Sequence, residues 1–243
     1  MFNQEENKFN TINSRPTDES ISSTRTFISG VFTWMFLALT VTAITAYLFG
    51  SNPELRGLLI TETGMSPLGY IVMFAPFGFV LLMGMGFARF SSALLTLFFA
   101  IFAVLMGMSL SFIFMAYTLG SIYVTFAITA GMFGIMAFTG YTTKTDLTKF
   151  GSIMFMGLIG IVIASIVNMF MRSSMMDYII SFIGVLVFTG LTAYDVQKLK
   201  RIGEGVVYGA ESTKKLMIMG ALTLYLDFIN LFLFLLRFMG NRK

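Results

Sequence analysis

Seven long apolar runs dominate the chain, each about 20 residues long, which is the length that an α-helix needs to cross the hydrocarbon core of a bilayer. The runs lie at 27–50, 68–88, 91–116, 120–141, 151–171, 178–198 and 215–237. They are continuously apolar and lack the period-two alternation of membrane β-strands. The pattern therefore predicts an all-α membrane protein, a bundle of seven transmembrane helices.

The segments outside the apolar runs predict a simple domain organisation. Residues 1–26 are polar, mixed in charge and poor in aliphatic side chains, which is typical of a disordered tail. Their acids precede a run too long for a signal-peptide core, and no A-x-A-like site follows it. We therefore expect a tail at 1–26, a membrane domain at 27–238 and a short C-terminal tail at 239–243.

Lysine and arginine are distributed unevenly between the two sides of this predicted bundle. Eleven lie in the N-terminal tail and in the loops after the second, fourth and sixth runs, against five on the opposite side. Because cytoplasmic loops carry an excess of these residues, the bias places the N-terminus in the cytoplasm. The chain is thus expected to be a multi-pass protein of the cell (inner) membrane.

Composition narrows the chemistry available to the chain. Hydrophobic residues make up 56% and charged residues 12%, whereas soluble domains carry about 25% charged residues. There is no cysteine and no histidine, which excludes thiol nucleophiles, disulfides and histidine-based acid–base catalysis. The net charge is +4, and the basic residues lie in short loops between the apolar runs. This distribution indicates membrane topology rather than nucleic-acid binding. Lipid is the expected surrounding, and no cofactor is expected.

Two acids, Asp195 and Asp227, lie inside apolar runs. A charged Asp at the centre of a membrane helix costs roughly 2.5–3.5 kcal/mol on insertion scales, so a compensating interaction is needed. Thr192 shares a helix face with Asp195, and Thr223 and Asn230 share one with Asp227. Stripes of polar and small residues normally face the interior of a bundle. A pair of carboxylates formed by the sixth and seventh helices is therefore the leading hypothesis.

Such a pair would share a proton, because two neighbouring carboxylates cannot cheaply both ionise in a low dielectric. When ionised it would attract a hard cation such as Ca²⁺, but two Asp supply too few oxygens for tight binding. In the alternative interpretation each Asp is a structural residue, bonded to Thr192, Thr223 or Asn230 or salt-bridged to an arginine. Arg89 is the candidate counter-ion for Asp195. The two acids meet only if the sixth helix extends past residue 198, the seventh begins later, or one is tilted.

Pro76 lies inside the second run. Proline removes a helical hydrogen bond and kinks a helix. The position is therefore interpreted either as a static kink or as a hinge in a gating helix.

Two segments carry a resemblance to a known family. LTAYDVQKLKRI at 191–202 and LTLYLDFINLFLFLLRF at 222–238 closely resemble the paired signature of the transmembrane Bax inhibitor motif family, which is Bax inhibitor-one-like. The FAR at 87–89 and the following MGMSLSFIF at 106–114 look like that family's second and third helices. The resemblance covers nearly all of residues 27–238.

This resemblance implies a bundle in which the seventh helix is central. Bacterial members are similar to pH-sensitive calcium leak channels, in which a di-aspartyl pair senses protons; the carry-over assigns this pair to Asp195 and Asp227. Arg89 matches the arginine that latches to the pair. Arg237 matches an arginine that pairs with a second-helix glutamate in such relatives, but the second run here, 68–88, contains no acid.

The expected function is accordingly a pH-sensitive calcium leak channel, with Asp195 and Asp227 as sensor and weak metal site. Two alternatives remain: an interaction protein that modulates a membrane quality-control protease, with its tail as the docking element, and a proton-coupled cation exchanger. An enzyme is not expected. An intramembrane aspartyl protease would use two such acids, but Leu226–Asp227 does not match its G-x-G-D motif.

Overall fold

The structure, a computed structural model, describes residues 18–62, 64–207 and 209–243, with side chains from residue 22 onward. The described part is largely helical, with one short hairpin of β1, Ile60–Thr61, and β2, Gly64–Met65. The helices are α1, Asp18–Ser51; α2, Pro53–Leu59; α3, Pro67–Gly86; α4, Ser92–Leu110; α5, Ile113–Ala116; α6, Leu119–Thr142; α7, Thr148–Met171; α8, Ser174–Glu204; and α9, Glu211–Met239.

Seven spans in this structure are long and apolar enough to cross a membrane, with α4 and α5 together forming one of them. The prediction of an all-α, seven-span membrane protein is confirmed. The boundaries differ from the predicted ones by more than four residues at two places. Helix α1 begins at Asp18, inside the predicted tail, while residues 1–17 of that tail lie outside the described residues. Helix α8 continues past Lys198 to Glu204.

Hydroxyl side chains fix where several spans begin. Ser66, Ser91, Thr118 and Ser173 each accept a hydrogen bond from a backbone N–H in the first turn of α3, α4, α6 and α8, respectively. Such N-caps satisfy donors that the helix itself leaves unpaired. Polar residues at the ends of apolar runs therefore set the spans.

The two ends of the bundle are named by their loops. The basic end contains the connections at 87–91, 143–147 and 205–210, and the C-terminal end contains 52–66, 111–118, 172–173 and 240–243. Side-chain contacts hold each set together. Lys200 Nζ donates to the Tyr141 carbonyl at 3.0 Å at the basic end, and Lys243 Nζ donates to the Phe114 carbonyl at 2.7 Å at the C-terminal end.

The interior of the bundle is built mainly on α8 and α9. In their most apolar stretches 67% of α9 and 61% of α8 residues are buried, against 33% or less in the other spans. Helix α9 packs against α8, α1, α6 and α4, whereas α7 packs mainly against α8 and α3 against α4 and α2. That the seventh span is surrounded by all six others remains a prediction.

Tyr225 fixes the rotation of α9 about its axis. The ring is fully buried and packs edge-on against Phe99 and Phe102 of α4. Its hydroxyl lies 2.8 Å from the Thr42 hydroxyl of α1, which donates to the Ala103 carbonyl of α4. Two residues along an α-helix point about 200° apart. Anchoring Tyr225 toward α1 and α4 therefore turns Asp227 toward the opposite side of α9.

Close helix approach at Gly140 yields a stability prediction. A Cβ added there would overlap the Ala193 carbonyl oxygen of α8 and lie 2.8 Å from its carbonyl carbon. Because backbone cannot yield as a side chain can, Gly140→Ala should lower the free energy of unfolding by about 1–3 kcal/mol, the cost of overpacking. Thermal unfolding in detergent measures this. Gly134→Ala, in the same helix with nothing near its Cβ, is the control; equal losses in both variants would contradict the prediction.

Candidate functional site

The structure brings the two intramembrane acids together. Asp195 of α8 and Asp227 of α9 have carboxyl groups within hydrogen-bonding reach of each other. Asp227 is only 5% exposed, and Asp195 is half-buried. The continuation of α8 beyond Lys198 is one of the conditions under which the sequence allowed the two acids to meet.

One oxygen of this pair is unsatisfied. Asp227 Oδ2 is the one buried side-chain nitrogen or oxygen without a hydrogen-bond partner in the described part of the chain. An ionised carboxylate only accepts hydrogen bonds, so a bond between two carboxyl groups requires a proton on one of them. Burial of an unpaired polar atom costs free energy. A proton shared with Asp195, or a bound cation, would supply a partner for the pair.

The acids open onto a cleft of about 720 Å³ between α7, α8 and α9, which we call the acidic cleft. Its polar lining comprises Ser152, Tyr194, Asp195, Lys198, Thr223, Asp227 and Asn230, and the rest is apolar. A second cavity of about 260 Å³ follows toward the basic end, and Tyr194 and Lys198 line both. Among the described residues no three His, Cys, Asp or Glu side chains cluster as metal ligands. Any cation here would depend on neutral oxygens and water as well.

The predicted supporting residues do not satisfy the aspartates. Thr192 donates to the Phe188 carbonyl at 2.8 Å and Thr223 to the Met219 carbonyl at 3.1 Å. Asn230 Nδ2 likewise donates to its own helix, at the carbonyl four residues earlier. Thr223 and Asn230 line the acidic cleft, while Thr192 is buried outside it. In the described residues, these three groups therefore do not hold the aspartates by the hydrogen bonds that the structural alternative expected.

Lys198 is a cation beside the pair that the sequence reasoning missed. It lines the acidic cleft and interacts electrostatically with the Asp195 carboxyl. Residues three apart on a helix share a face, so the spacing in YDVQK was the available signal. Lys198 gives the acidic cleft a positive charge on its side toward the basic end.

Arg89 does not contact the aspartates in this structure. Its side chain is exposed in the turn between α3 and α4, and it forms no ion pair with any described residue. That turn is tied to the start of α9, because Lys215 Nζ lies 3.5 Å from the Phe87 carbonyl. Asp227 lies about 18 Å farther along α9 by the helical rise. The predicted ion pair with Asp195 is thus absent here, and the latch role stays a prediction.

Pro76 is buried within α3, which remains helical from Pro67 to Gly86. The main contacts of α3 are with α4 and α2, and none of them involves the walls of the acidic cleft. A hinge at Pro76 therefore also stays a prediction.

Arg237 has a partner that the sequence did not reveal. Its Nη1 lies 3.6 Å from Asp177 Oδ1, in the first turn of α8, so the acid comes from the sixth span and not the second. Arg242 Nη2 lies 3.5 Å from Asp177 Oδ2. The Arg237 guanidinium also sits over the Phe234 ring, 5.8 Å from its centroid.

An aromatic pair lies between this ion pair and the acidic cleft in the sequence of α8 and α9. Phe234 of α9 and Phe188 of α8 stack with ring centroids 5.7 Å apart. The Phe234 ring lies flat on Gly184, where an added Cβ would fall 2.5 Å from the ring. We call Phe188 and Phe234 the aromatic plug. Along α9, Phe234 lies between Asp227 and Arg237.

Gln197 attaches the loop between α6 and α7 to α8, next to the acidic cleft. The side chain is 6% exposed. Its Nε2 donates to the Thr145 carbonyl at 2.8 Å, and its Oε1 accepts from the Leu147 N–H and from Arg201, both at 2.9 Å.

Gln197→Leu should therefore destabilise the protein by about 1–3 kcal/mol, the summed net contribution of the hydrogen bonds that it removes. Gln197→Glu, which keeps the acceptor and loses the donor, should have a smaller effect. Thermal unfolding of the three proteins in one detergent tests the ranking. If Gln197→Leu unfolded no earlier than the parent, the loop would not depend on this side chain.

Known proteins resemble this chain over nearly its full length. The family model described as Inhibitor of apoptosis-promoting Bax1 matches residues 24–243. Inner membrane protein YbhL of Escherichia coli (strain K12) is 43% identical over 233 residues, covering 94% of this chain and 98% of that protein. An uncharacterized protein of Borreliella burgdorferi is 45% identical over 217 residues, covering 89% and 92%.

These matches confirm the family that the two signature segments predicted. Together with the seven apolar helices, the inner membrane relative supports a multi-pass inner membrane protein. The orientation of the N-terminus is still a prediction. The chain belongs to the Bax inhibitor family described as Inhibitor of apoptosis-promoting Bax1.

Proposed function

We propose that this protein is a pH-sensitive leak channel for calcium and similar cations, gated by Asp195 and Asp227. The observation that carries the proposal is the buried Asp227 Oδ2, which has no donor among the described residues although a second carboxyl group lies beside it. A shared proton satisfies that oxygen in the closed state. Removal of the proton leaves negative charge that a permeating cation compensates.

The chemistry of the acidic cleft suits passage better than storage. Calcium usually takes 6–8 oxygen ligands, and two Asp supply at most about four. Thr223, Asn230 and Ser152 add neutral oxygens within the same cleft. A cation would thus be held weakly enough to leave, as conduction requires.

The side chains along α8 and α9 support a cation pathway that has a barrier on each side of the Asp195–Asp227 pair. Toward the basic end the smaller cavity continues from the acidic cleft past Tyr194 and Lys198. The Lys198 ammonium competes with a permeant cation for Asp195. Toward the C-terminal end we propose that the aromatic plug, which stacks between the acidic cleft and the Arg237–Asp177 pair, is the barrier to a permeant cation.

Helix α3 is the element that we propose moves. It packs against few neighbours, so its displacement disturbs little of the interior. Bending at Pro76 would change the distance between Arg89 and the aspartates. When close to them, Arg89 would compete with a cation for their negative charge. We propose that the basic end, with its excess of Lys and Arg, faces the cytoplasm.

Calcium flux from proteoliposomes tests the proposal. The full chain is reconstituted with a calcium-sensitive dye, and the flux is compared from about pH 6 to about pH 8. Flux should rise with pH and exceed that of protein-free vesicles. A flux that does not vary with pH would contradict gating by the pair. Proton movement in fixed ratio to calcium would instead indicate an exchanger and overturn the channel.

A further inference from the structure

Three arginines gather at the C-terminal end, outside the acidic cleft. Arg172, Arg237 and Arg242 line a cavity of about 420 Å³ between the end of α7, the start of α8 and the end of α9. Asp177 is the one acid in that lining. We call this cavity the arginine pocket. Three guanidinium groups against one carboxylate leave an excess of two positive charges.

The single acid is already engaged. The Asp177 carboxylate forms ion pairs with Arg237 at 3.6 Å and with Arg242 at 3.5 Å. It also accepts a hydrogen bond from Asn168 Nδ2 at 3.4 Å. Arg172 forms no ion pair with any described residue. All five guanidinium donors of Arg172 are therefore free to bind an anion from outside the chain.

Arg172 occupies a position that is costly for its residue type. It caps the C-terminus of α7 with φ 52° and ψ 34°, the left-handed region, and is the one described non-glycine residue with positive φ. Glycine or asparagine would fill this cap more cheaply. This backbone conformation, although costly for arginine, brings the Arg172 side chain into the lining of the pocket.

The pocket lies where three spanning helices end, next to exposed apolar side chains. Met169, which lines the pocket, is 65% exposed, and the adjacent Phe170 is 78% exposed. The N-terminus of α8, capped by Ser173, opens into the same cavity and favours negative charge through the helix dipole. A ligand here meets positive charge on one side and apolar surface on the other.

We propose that the arginine pocket binds the phosphate of an anionic phospholipid headgroup. Arginine forks match phosphate oxygens with paired hydrogen bonds. The lipid's acyl chains would lie along Met169 and Phe170. Free inorganic phosphate shares the headgroup chemistry but has no apolar part to use this surface. The inference is independent of ion conduction.

Lipid binding to the purified full-length protein tests the proposal by native mass spectrometry. Phosphatidylglycerol, zwitterionic phosphatidylcholine and inorganic phosphate are titrated separately. Phosphatidylglycerol should bind most tightly. Arg172→Gln should weaken its binding about tenfold, the loss expected for hydrogen bonds to a charged group, and Arg172→Lys should weaken it less. Arg56→Gln, at the same end but outside the pocket, is the control.

Three results would overturn the inference. Equal phosphatidylglycerol binding by the parent and Arg172→Gln would remove the pocket as the site. Equal weakening by Arg56→Gln would show attraction to positive charge in general. Inorganic phosphate binding as tightly as phosphatidylglycerol would identify a free-anion site. Unchanged thermal unfolding of Arg172→Gln confirms that a binding loss is not a folding loss.

Discussion

Asp227→Asn should remove the pH response of calcium flux. Asparagine keeps the shape of a protonated aspartate and cannot ionise, so only Asp195 can carry charge and the second negative charge of the pair does not develop at any pH. Where the parent flux rises about tenfold between about pH 6 and about pH 8, as for release of one controlling proton, the variant flux should stay near background. Fluorescence flux assays on equal amounts of reconstituted protein measure the ratio.

Asp195→Asn should also reduce the pH response of calcium flux, because either amide removes one of the two negative charges. The matched control is Asp146→Asn, in the loop at the basic end. Hydrogen bonds from Thr148 and Arg201 hold the pKa of Asp146 well below its usual range, so it stays ionised throughout the assay. A pH response that persists in Asp227→Asn, or disappears in Asp146→Asn, would place the sensor elsewhere.

Phe234→Ala should raise calcium flux, because it removes the ring that separates the acidic cleft from the Arg237–Asp177 pair. Lowering a barrier by about 1.4 kcal/mol raises a rate about tenfold, and we expect an increase of this order at the higher pH. The pH response should survive, since both aspartates remain. The measurement is the initial calcium flux in the same vesicles.

Phe234→Leu keeps apolar bulk at the plug and should give an intermediate flux. Phe138→Ala, which removes a ring that is 70% exposed on α6, is the control for general loosening of the bundle. If Phe138→Ala raised flux as much as Phe234→Ala, the plug would not be a specific barrier.

The sequence was sufficient to identify the spans and to make a meeting of Asp195 with Asp227 the leading hypothesis. Bilayer thickness fixes the length of a spanning helix, so apolar runs identify the spans. An acid in such a run needs a partner, and helical periodicity shows which face it occupies. Only the depth of the pair was undecided, because it depends on how far α8 extends past the last apolar residue.

The sequence could not assign the arginines. Arg237 meets Asp177 because the end of α9 lies beside the start of α8, and that register is a property of packing. Arg89 was expected near Asp195 because both lie toward one end. The contact between Lys215 and Phe87 instead keeps its turn at the start of α9.

The aromatic plug had no distinctive sequence signal. The chain has 28 phenylalanines, and most positions of this type in a membrane protein face lipid or fill the interior. Gly184 lies eleven residues before Asp195 and therefore on the same face of α8, where a glycine leaves room for a neighbouring group. Which ring fills the space opposite Gly184 depends on the rotation of α9 set by Tyr225.

The most direct test is infrared spectroscopy of the reconstituted protein, recorded together with calcium flux while the pH is raised. A protonated carboxyl group has a carbonyl band that an ionised one lacks. We predict a band that disappears at the same pH at which flux rises and that is missing from a variant carrying both Asp195→Asn and Asp227→Asn. A band that stays while flux rises, or a rise in flux in the double variant, would contradict gating by a proton shared between these aspartates.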